Sequence, residues 1–250
     1  MAKQMLLYWG SGSPPCWRVM ITLEEKNLQG YQNKLLSFEK QEHKSKDVMD
    51  INPRGQYSTF YIKKSDLQHT IHLFTEKVSE LPSFKHDNII INESYGACLY
   101  LENQFKSQGT QLIPDAAAEQ ALVYQRMFEV MSLHEKMADA IFYTWRVPEA
   151  ERHDSALKRN REALAAELRI WEGYFQKMDS GSYVAGKNFT MADVMFFPQI
   201  AFVFRFGLSQ EKYPKLAEYY SLVKERPSIK ASWPPHWTEN PQGSDTLKDL

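Results

Sequence analysis

The chain has 250 residues, 43% apolar and 24% charged, enough for one or two packed domains and too apolar for a disordered chain. Its 30 Lys and Arg against 31 Asp and Glu give a formal charge of −1, with no electrostatic footprint for nucleic acid or an anionic membrane. Two cysteines, Cys16 and Cys98, exclude a secreted disulfide framework and fit a reducing compartment. The N-terminus shows no signal-peptide pattern. The most apolar stretch, 191–208, carries Asp193, Pro198 and Arg205, which argues against a membrane span. The expectation is a soluble, cytoplasmic protein.

Met5–Trp9 is an apolar run closed by Gly10-Ser11-Gly12-Ser13, which predicts a strand ending in a turn. Pro14-Pro15 then open a helix with Val19, Met20 and Leu23 at helical spacing, ending near Gly30. Proline suits a first helical turn because the amide it lacks has no intrahelical partner there. Residues 31–38 predict a second strand, and 44–51 a short helix halted before Pro53. After Leu81-Pro82, two apolar runs flank His86-Asp87-Asn88 as in a hairpin. Residues 94–105 read as a helix. The resulting β-α-β-α-β-β-α order predicts a small α/β layer.

The remainder reads as helical. Met127, Met131, Ala138 and Ile141 mark one face of a long helix. Leu157, Leu164, Leu168, Trp171 and Phe175 mark the next, in steps of 7, 4, 3 and 4. Thr190 and Asp193 form a capping-box pattern, so Asp193 is assigned to the fold and not to catalysis. The helix that follows is apolar nearly all round and should be the buried centre of an all-α domain. Leu216, Tyr219, Tyr220 and Val223 predict a last amphipathic helix before Pro227. The expected domains are 1–106 and 119–227, joined by a linker at 107–118 and followed by an extended tail at 228–250.

This plan resembles that of the cytosolic glutathione transferases, and particular residues carry the resemblance. Ser11-Gly-Ser-Pro-Pro-Cys-Trp-Arg18 is similar to the strand-to-helix turn of their serine-type classes. Asn52-Pro53-Arg54-Gly55-Gln56, Leu81-Pro82 and Asn92-Glu93-Ser94 follow in the family's order. The stretch from Tyr183 to Asp193 resembles the family's helical-domain signature. The ending Ser228-Ile-Lys-Ala-Ser-Trp-Pro-Pro-His-Trp237 resembles the rho class of fishes. The resemblance implies a thioredoxin-like N-terminal domain, an all-α C-terminal domain and a homodimer. It also implies glutathione as co-substrate and hydrophobic electrophiles as partners.

The chemistry gives these positions a reason. Glutathione attacks as a thiolate, and a free thiol of pKa about 8.5 is mostly protonated at neutral pH. A hydroxyl aimed at the sulfur from a helix N-terminus favours the anion. Ser13 is the first candidate, ahead of Ser11 in the same turn and of Tyr8, since related classes use a tyrosine near the end of the first strand. Cys16 offers a mixed-disulfide mechanism, but it lies three residues beyond Ser13, where a packed thiol is expected.

For the rest of the tripeptide, the third helix would meet the γ-glutamyl carboxylate through Glu93, Ser94 and its first amides. By resemblance, Leu81 lends main-chain hydrogen bonds to the cysteinyl part, Pro82 is cis, and His43 contacts the glycyl end. Arg18 is read as structural. The electrophile pocket is expected between the domains, with Tyr124, Met127, Phe128, Met131 and Trp145 as candidates. No metal-ligand spacing or dinucleotide fingerprint is present, so no metal is expected.

One segment departs from the family. Tyr57 to Glu80, 24 residues, separates Gly55-Gln56 from Leu81-Pro82, which are normally adjacent. Leu67, Ile71, Phe74 and Val78 step by 4, 3 and 4, and Ser65 to Gln68 resembles a capping box, so a short amphipathic helix is expected. Closing such a loop costs about 3 kcal/mol by the logarithmic rule. Its place just before the cysteinyl-binding backbone predicts weakened glutathione binding. Three readings follow: conjugation of glutathione to electrophiles, a zeta-like glutathione-dependent isomerase, or a non-catalytic protein of the same fold.

Overall fold

Five residues, Met5–Trp9, form β1, an inner strand of the N-terminal layer. The computed structural model describes residues 4–52, 55–56, 78–79 and 81–250. After the turn at 10–13, Pro14 and Pro15 occupy the first turn of α1 (Pro14–Glu25), with Ser13 as an extended N-cap. α1 stops at Glu25, short of Gly30, and Asn27 turns the chain with a left-handed φ of 51°. β2 (Gln32–Leu35) runs parallel to β1, followed by a 3₁₀ turn at Glu42–Lys44 and by α2 (Lys46–Ile51). β3 (Gly55–Gln56) pairs antiparallel with β4 (Val78–Ser79), so the ends of the 24-residue departure lie side by side. Residues 57–77, which include most of the expected amphipathic helix, lie outside the described residues.

β5 (Ser83–His86) is antiparallel to β1 and turns through Asp87 (φ 52°) into β6 (Ile89–Ile91), which leads to α3 (Ser94–Gln104). The sheet order is β2-β1-β5-β6. Register decides the geometry of the site. Trp9 lies opposite Leu35, Tyr8 opposite Ser83, and Phe84 opposite Ile91. The ends of β1, β2 and β6 and the start of β5 therefore share one edge. That edge gathers the turn 10–13, the segment after β2, Leu81-Pro82 and the start of α3.

The helical half comprises α4 (Ala117–Ile141), α5 (Tyr143–Arg146), α6 (Asp154–Gln176), α7 (Met191–Arg205) and α8 (Pro214–Lys224). α7 is buried without a break from Met191 to Val203, packed by α1, α4 and α8. Each large apolar side chain so buried contributes roughly 1.5–3 kcal/mol. Trp171 of α6 stacks on Phe196 at 4.3 Å, and Trp17 of α1 meets Phe197 edge-on at 5.5 Å. Polar links tie α1 to both halves. Lys26 pairs with Glu102 of α3 at 2.7 Å, whose other oxygen accepts the Leu112 and Ile113 amides. Glu25 accepts two hydrogen bonds from Arg226 and one from the Ser228 hydroxyl.

Two expectations need correction. The polar, Pro-rich composition of 228–250 predicts an extended tail, but the chain forms α9 (Pro227–Ala231) and α10 (Pro235–Glu239). Each opens on proline, and Trp233 and Trp237, one turn apart, pack edge-on against Trp17 at 5.2 and 5.4 Å. The single face drawn through Met127 and Met131 also divides. Met127 is 1% exposed within a buried stripe that includes Val123, Val130 and Leu133. Met131 is 54% exposed and continues a second stripe with Tyr124 and Phe128, about 100° further round the helix.

Candidate active site

The turn 10–13 is closely enclosed. Its backbone is closed by the Ser13 amide donating to the Gly10 carbonyl at 3.2 Å. Gly10 faces the Phe38 ring so closely that an added Cβ would lie 2.1 Å from it. Gly12 has φ +77°, and a Cβ there would lie 2.5 Å from His236 and 3.0 Å from Trp237. Only glycine suits both the conformation and the gap.

The three candidate donors differ sharply. Ser13 caps α1 by position, yet its hydroxyl makes no bond to the helix's first amides. Ser11 Oγ shares a hydrogen bond of 2.5 Å with His236 Nδ1 on α10. Tyr8 is buried in the sheet, where its hydroxyl accepts from Lys34 Nζ at 3.3 Å. Cys16 is fully buried and its Sγ accepts the Gly10 amide. Burial pushes its thiol up to about 11, outweighing the Ser13 and Gly10 hydrogen bonds and the Arg18 charge. This is a packed, protonated thiol and not a nucleophile at neutral pH.

The expected glutathione contacts lie around the same edge. Leu81–Pro82 is a cis peptide immediately before Ser83, which sits opposite Tyr8 of β1. Glu93 is the exposed N-cap of α3, and Ser94 behind it is buried with its hydroxyl accepting from Arg18 Nη1 at 3.2 Å. Arg18 lies 4.9 Å over the Tyr95 ring, and burial lowers its pKa. It holds α1 against α3, the bridging role read from the sequence. His43 is buried beside Phe38, with Nδ1 unpartnered. Burial, then Lys44, lowers its pKa, so the ring is neutral at pH 7.

The electrophile candidates do not form one group. Met127 is core and its carbonyl accepts the Tyr95 hydroxyl, so it lines no open surface. Tyr124, Phe128 and Met131 form the exposed α4 stripe. Trp145, 61% exposed, instead ends a line of rings: Trp145 to Phe142 (5.4 Å), Phe142 to Phe202 (5.9 Å) and Phe202 to Trp237 (6.4 Å). Phe206 stacks on Phe202 at 4.6 Å. This line reaches the turn through Trp237 and His236, residues that sequence reasoning left in the tail. The available signal was Trp233, His236 and Trp237 at helical spacings of three and four.

Two family models match, "Glutathione S-transferase, N-terminal domain" over residues 12–104 and "Glutathione S-transferase, C-terminal domain" over 131–232. A relative from Pleuronectes platessa, named glutathione S-transferase A, is 62% identical over 250 residues, covering 100% of both chains. The chain belongs to the glutathione S-transferase family. A crystal structure of a glutathione S-transferase from the Antarctic clam Laternula elliptica matches with a TM-score of 0.79 and 34% identity, over 98% of this chain and 99% of that one. A glutathione transferase homologue from Sulfitobacter, solved with bound glutathione, shares the fold at a TM-score of 0.70 and 21% identity, over 92% and 97% of the two chains. This glutathione transferase thus combines the family's α/β and helical domains, as the motifs implied. Among the described residues, no group of three His, Cys, Asp or Glu is placed to hold a metal ion. No described helix is long and apolar enough to cross a membrane.

Proposed function

We propose that this transferase joins the sulfur of glutathione to hydrophobic electrophiles, with the Ser13 hydroxyl donating to the thiolate. One observation carries this reading: Ser13 stands at a helix N-terminus, on the edge shared with Leu81-Pro82 and Ser94, without a capping bond. A hydrogen bond from a hydroxyl lowers the thiol pKa by favouring the charged form. The start of α3, with Glu93, Ser94 and the Arg18 guanidinium behind it, suits the γ-glutamyl carboxylate. The Leu81 main chain would take the cysteinyl part and the neutral His43 the glycyl end.

The ring line from Trp237 to Trp145 suits an apolar electrophile because its inner end touches the turn that presents the sulfur. The exposed stripe of Tyr124, Phe128 and Met131 then suits a second copy in a homodimer, the family's usual state, acting in the cytoplasm.

Calorimetric titration with glutathione, paired with turnover of a chromogenic aryl halide, tests this reading on the full chain and on a variant lacking residues 57–80. Binding with turnover by the full chain is expected, with tighter binding by the deletion. Binding without turnover would favour a non-catalytic protein, and turnover of maleylacetone an isomerase. Binding by the deletion alone would overturn the proposal for this chain.

A further inference from the structure

We infer that His236 is a positioning residue of the transferase site: through Ser11 it fixes the turn 10–13, and so makes α10 part of the glutathione-activating machinery. The inference rests on the proposed role of Ser13. Three observations meet at this point. Ser11 Oγ and His236 Nδ1 are 2.5 Å apart, joining residues 225 positions apart in sequence. His236 and Trp237 pack so close to Gly12 that an added Cβ would lie 2.5 and 3.0 Å from them. α10 is itself held firmly: Trp237 is buried edge-on to Trp17, Arg205 of α7 lies 5.0 Å over its ring, and Arg205 Nη2 donates to the Asn240 carbonyl at 2.8 Å.

The chemistry follows from the two serines sharing one turn. Burial and the Arg205 charge hold His236 below the ordinary imidazole range, against the pull of Glu239 on its own helix, so the ring is neutral at pH 7. A neutral imidazole offers one donor and one acceptor. Whichever Nδ1 supplies, Ser11 has its partner in the protein, and the turn is tied to α10 as well as closed on itself by the Gly10–Ser13 backbone bond. Ser13 is thereby aimed with no bond from its hydroxyl to the helix's first amides. Misplacing a reacting group by about 1 Å costs on the order of a hundredfold in rate, so a modest loosening of the turn should be visible in the thiol's ionisation.

The test is a double-mutant cycle of His236→Ala with Ser11→Ala, supported by His236→Asn, Ser13→Ala and a thermal melt of each variant. Two readouts are taken: the apparent pKa of enzyme-bound glutathione, from thiolate absorbance across pH, and kcat/KM for glutathione. His236→Ala should raise the bound thiol's pKa by about one unit and lower kcat/KM about tenfold at neutral pH. His236→Asn should recover to within about threefold, because its side-chain amide can stand in for the imidazole nitrogen. The double variant should be no worse than the worse single one. A wild-type pH profile for His236→Ala, or effects that multiply with those of Ser11→Ala, overturns the inference. If His236→Ala does not fold, His236→Asn and Ser11→Ala decide, since loss of pKa control by Ser11→Ala with none by His236→Asn is still required. Ser13→Ala keeps the two readings separable: an unchanged thiol pKa there refutes Ser13 as donor, whatever the cycle shows.

Discussion

The N-caps of α1 and α7, Ser13 and Thr190, both carry a hydroxyl, and they use it in opposite ways. At α7, the Thr190 amide and hydroxyl both donate to Asp193 Oδ2, at 2.8 and 3.1 Å. Asp193 Oδ1 accepts the Val184 amide and the Tyr219 hydroxyl, at 2.9 and 3.1 Å. Every polar group there is consumed by the fold, and the helix behind it is wholly buried. At α1, prolines replace the first two amide donors, and the Ser13 hydroxyl makes no capping bond. One end is closed by its cap, and the other leaves its N-cap hydroxyl unbound to the helix's amides, beside the Cys16 thiol. A residue type at a cap therefore predicts chemistry only when its local hydrogen bonds have been accounted for.

The comparison predicts the largest effect at the closed end. Asp193→Ala should destabilise by about 4 kcal/mol, because it leaves buried amides and hydroxyls unpaired. Denaturant unfolding would read this, and a loss below about 1 kcal/mol would mean that α7 is not closed in this way.

A second test lies where α4 meets both helices. His134 shares a 3.3 Å hydrogen bond with Gln199 of α7. Burial, then the charge of Arg18 on α1, lowers it from 6.5 to about 4. The unfolded chain thus takes up this proton first as pH falls, and stability is lost between pH 6.5 and about 4, by about 3 kcal/mol in total. Asp193 works the other way: burial raises it from 3.8 to about 6, so the native state protonates first and gains stability over that range. The two slopes offset each other in the wild type. His134→Gln should therefore become more stable relative to wild type as pH drops from 7 to 4.5, measured by urea midpoints at each pH.

At the open end, Ser13→Ala should lower kcat/KM about a hundredfold, as for loss of one donor to a developing anion. Its stability should change by less than about 1 kcal/mol, since no cap bond is broken. A variant equally active but markedly less stable would reverse the comparison. The smallest effect is expected at Cys16→Ala, with activity kept within about twofold, because a buried thiol held near 11 supplies no thiolate. Rapid alkylation of Cys16 by iodoacetamide would contradict that.

Much of this is legible in the sequence. Gly10 to Pro15 marks the end of a strand and the start of a helix because glycine and proline restrict backbone geometry locally, and Thr190 with Asp193 marks a helix start for the same kind of reason. The gathering of Ser13, Leu81-Pro82 and Ser94 on one edge was carried by resemblance, because strand register is non-local. The ring line and the Ser11–His236 contact were not legible: they depend on α9 and α10 folding back over α1. Short helices opening on proline within a polar stretch carry little amphipathic signal, and the Trp spacing alone does not say what the rings pack against. Likewise, Met127 and Met131 sit at helical spacing, yet the edge of the buried stripe falls between them.

The packing of the last helices also gives the protein an optical handle. Trp17, Trp233 and Trp237, three of its six tryptophans, meet in mutual edge-on contact at 5.2, 5.4 and 5.8 Å. Indoles this close and this rigidly crossed couple their electronic transitions, giving a circular-dichroism couplet and shared, partly quenched emission. Because one ring belongs to α1 and two to the segment of α9 and α10, that signature depends on this segment being packed on α1. The enzyme therefore carries an intrinsic spectroscopic gauge of that packing, readable without a label.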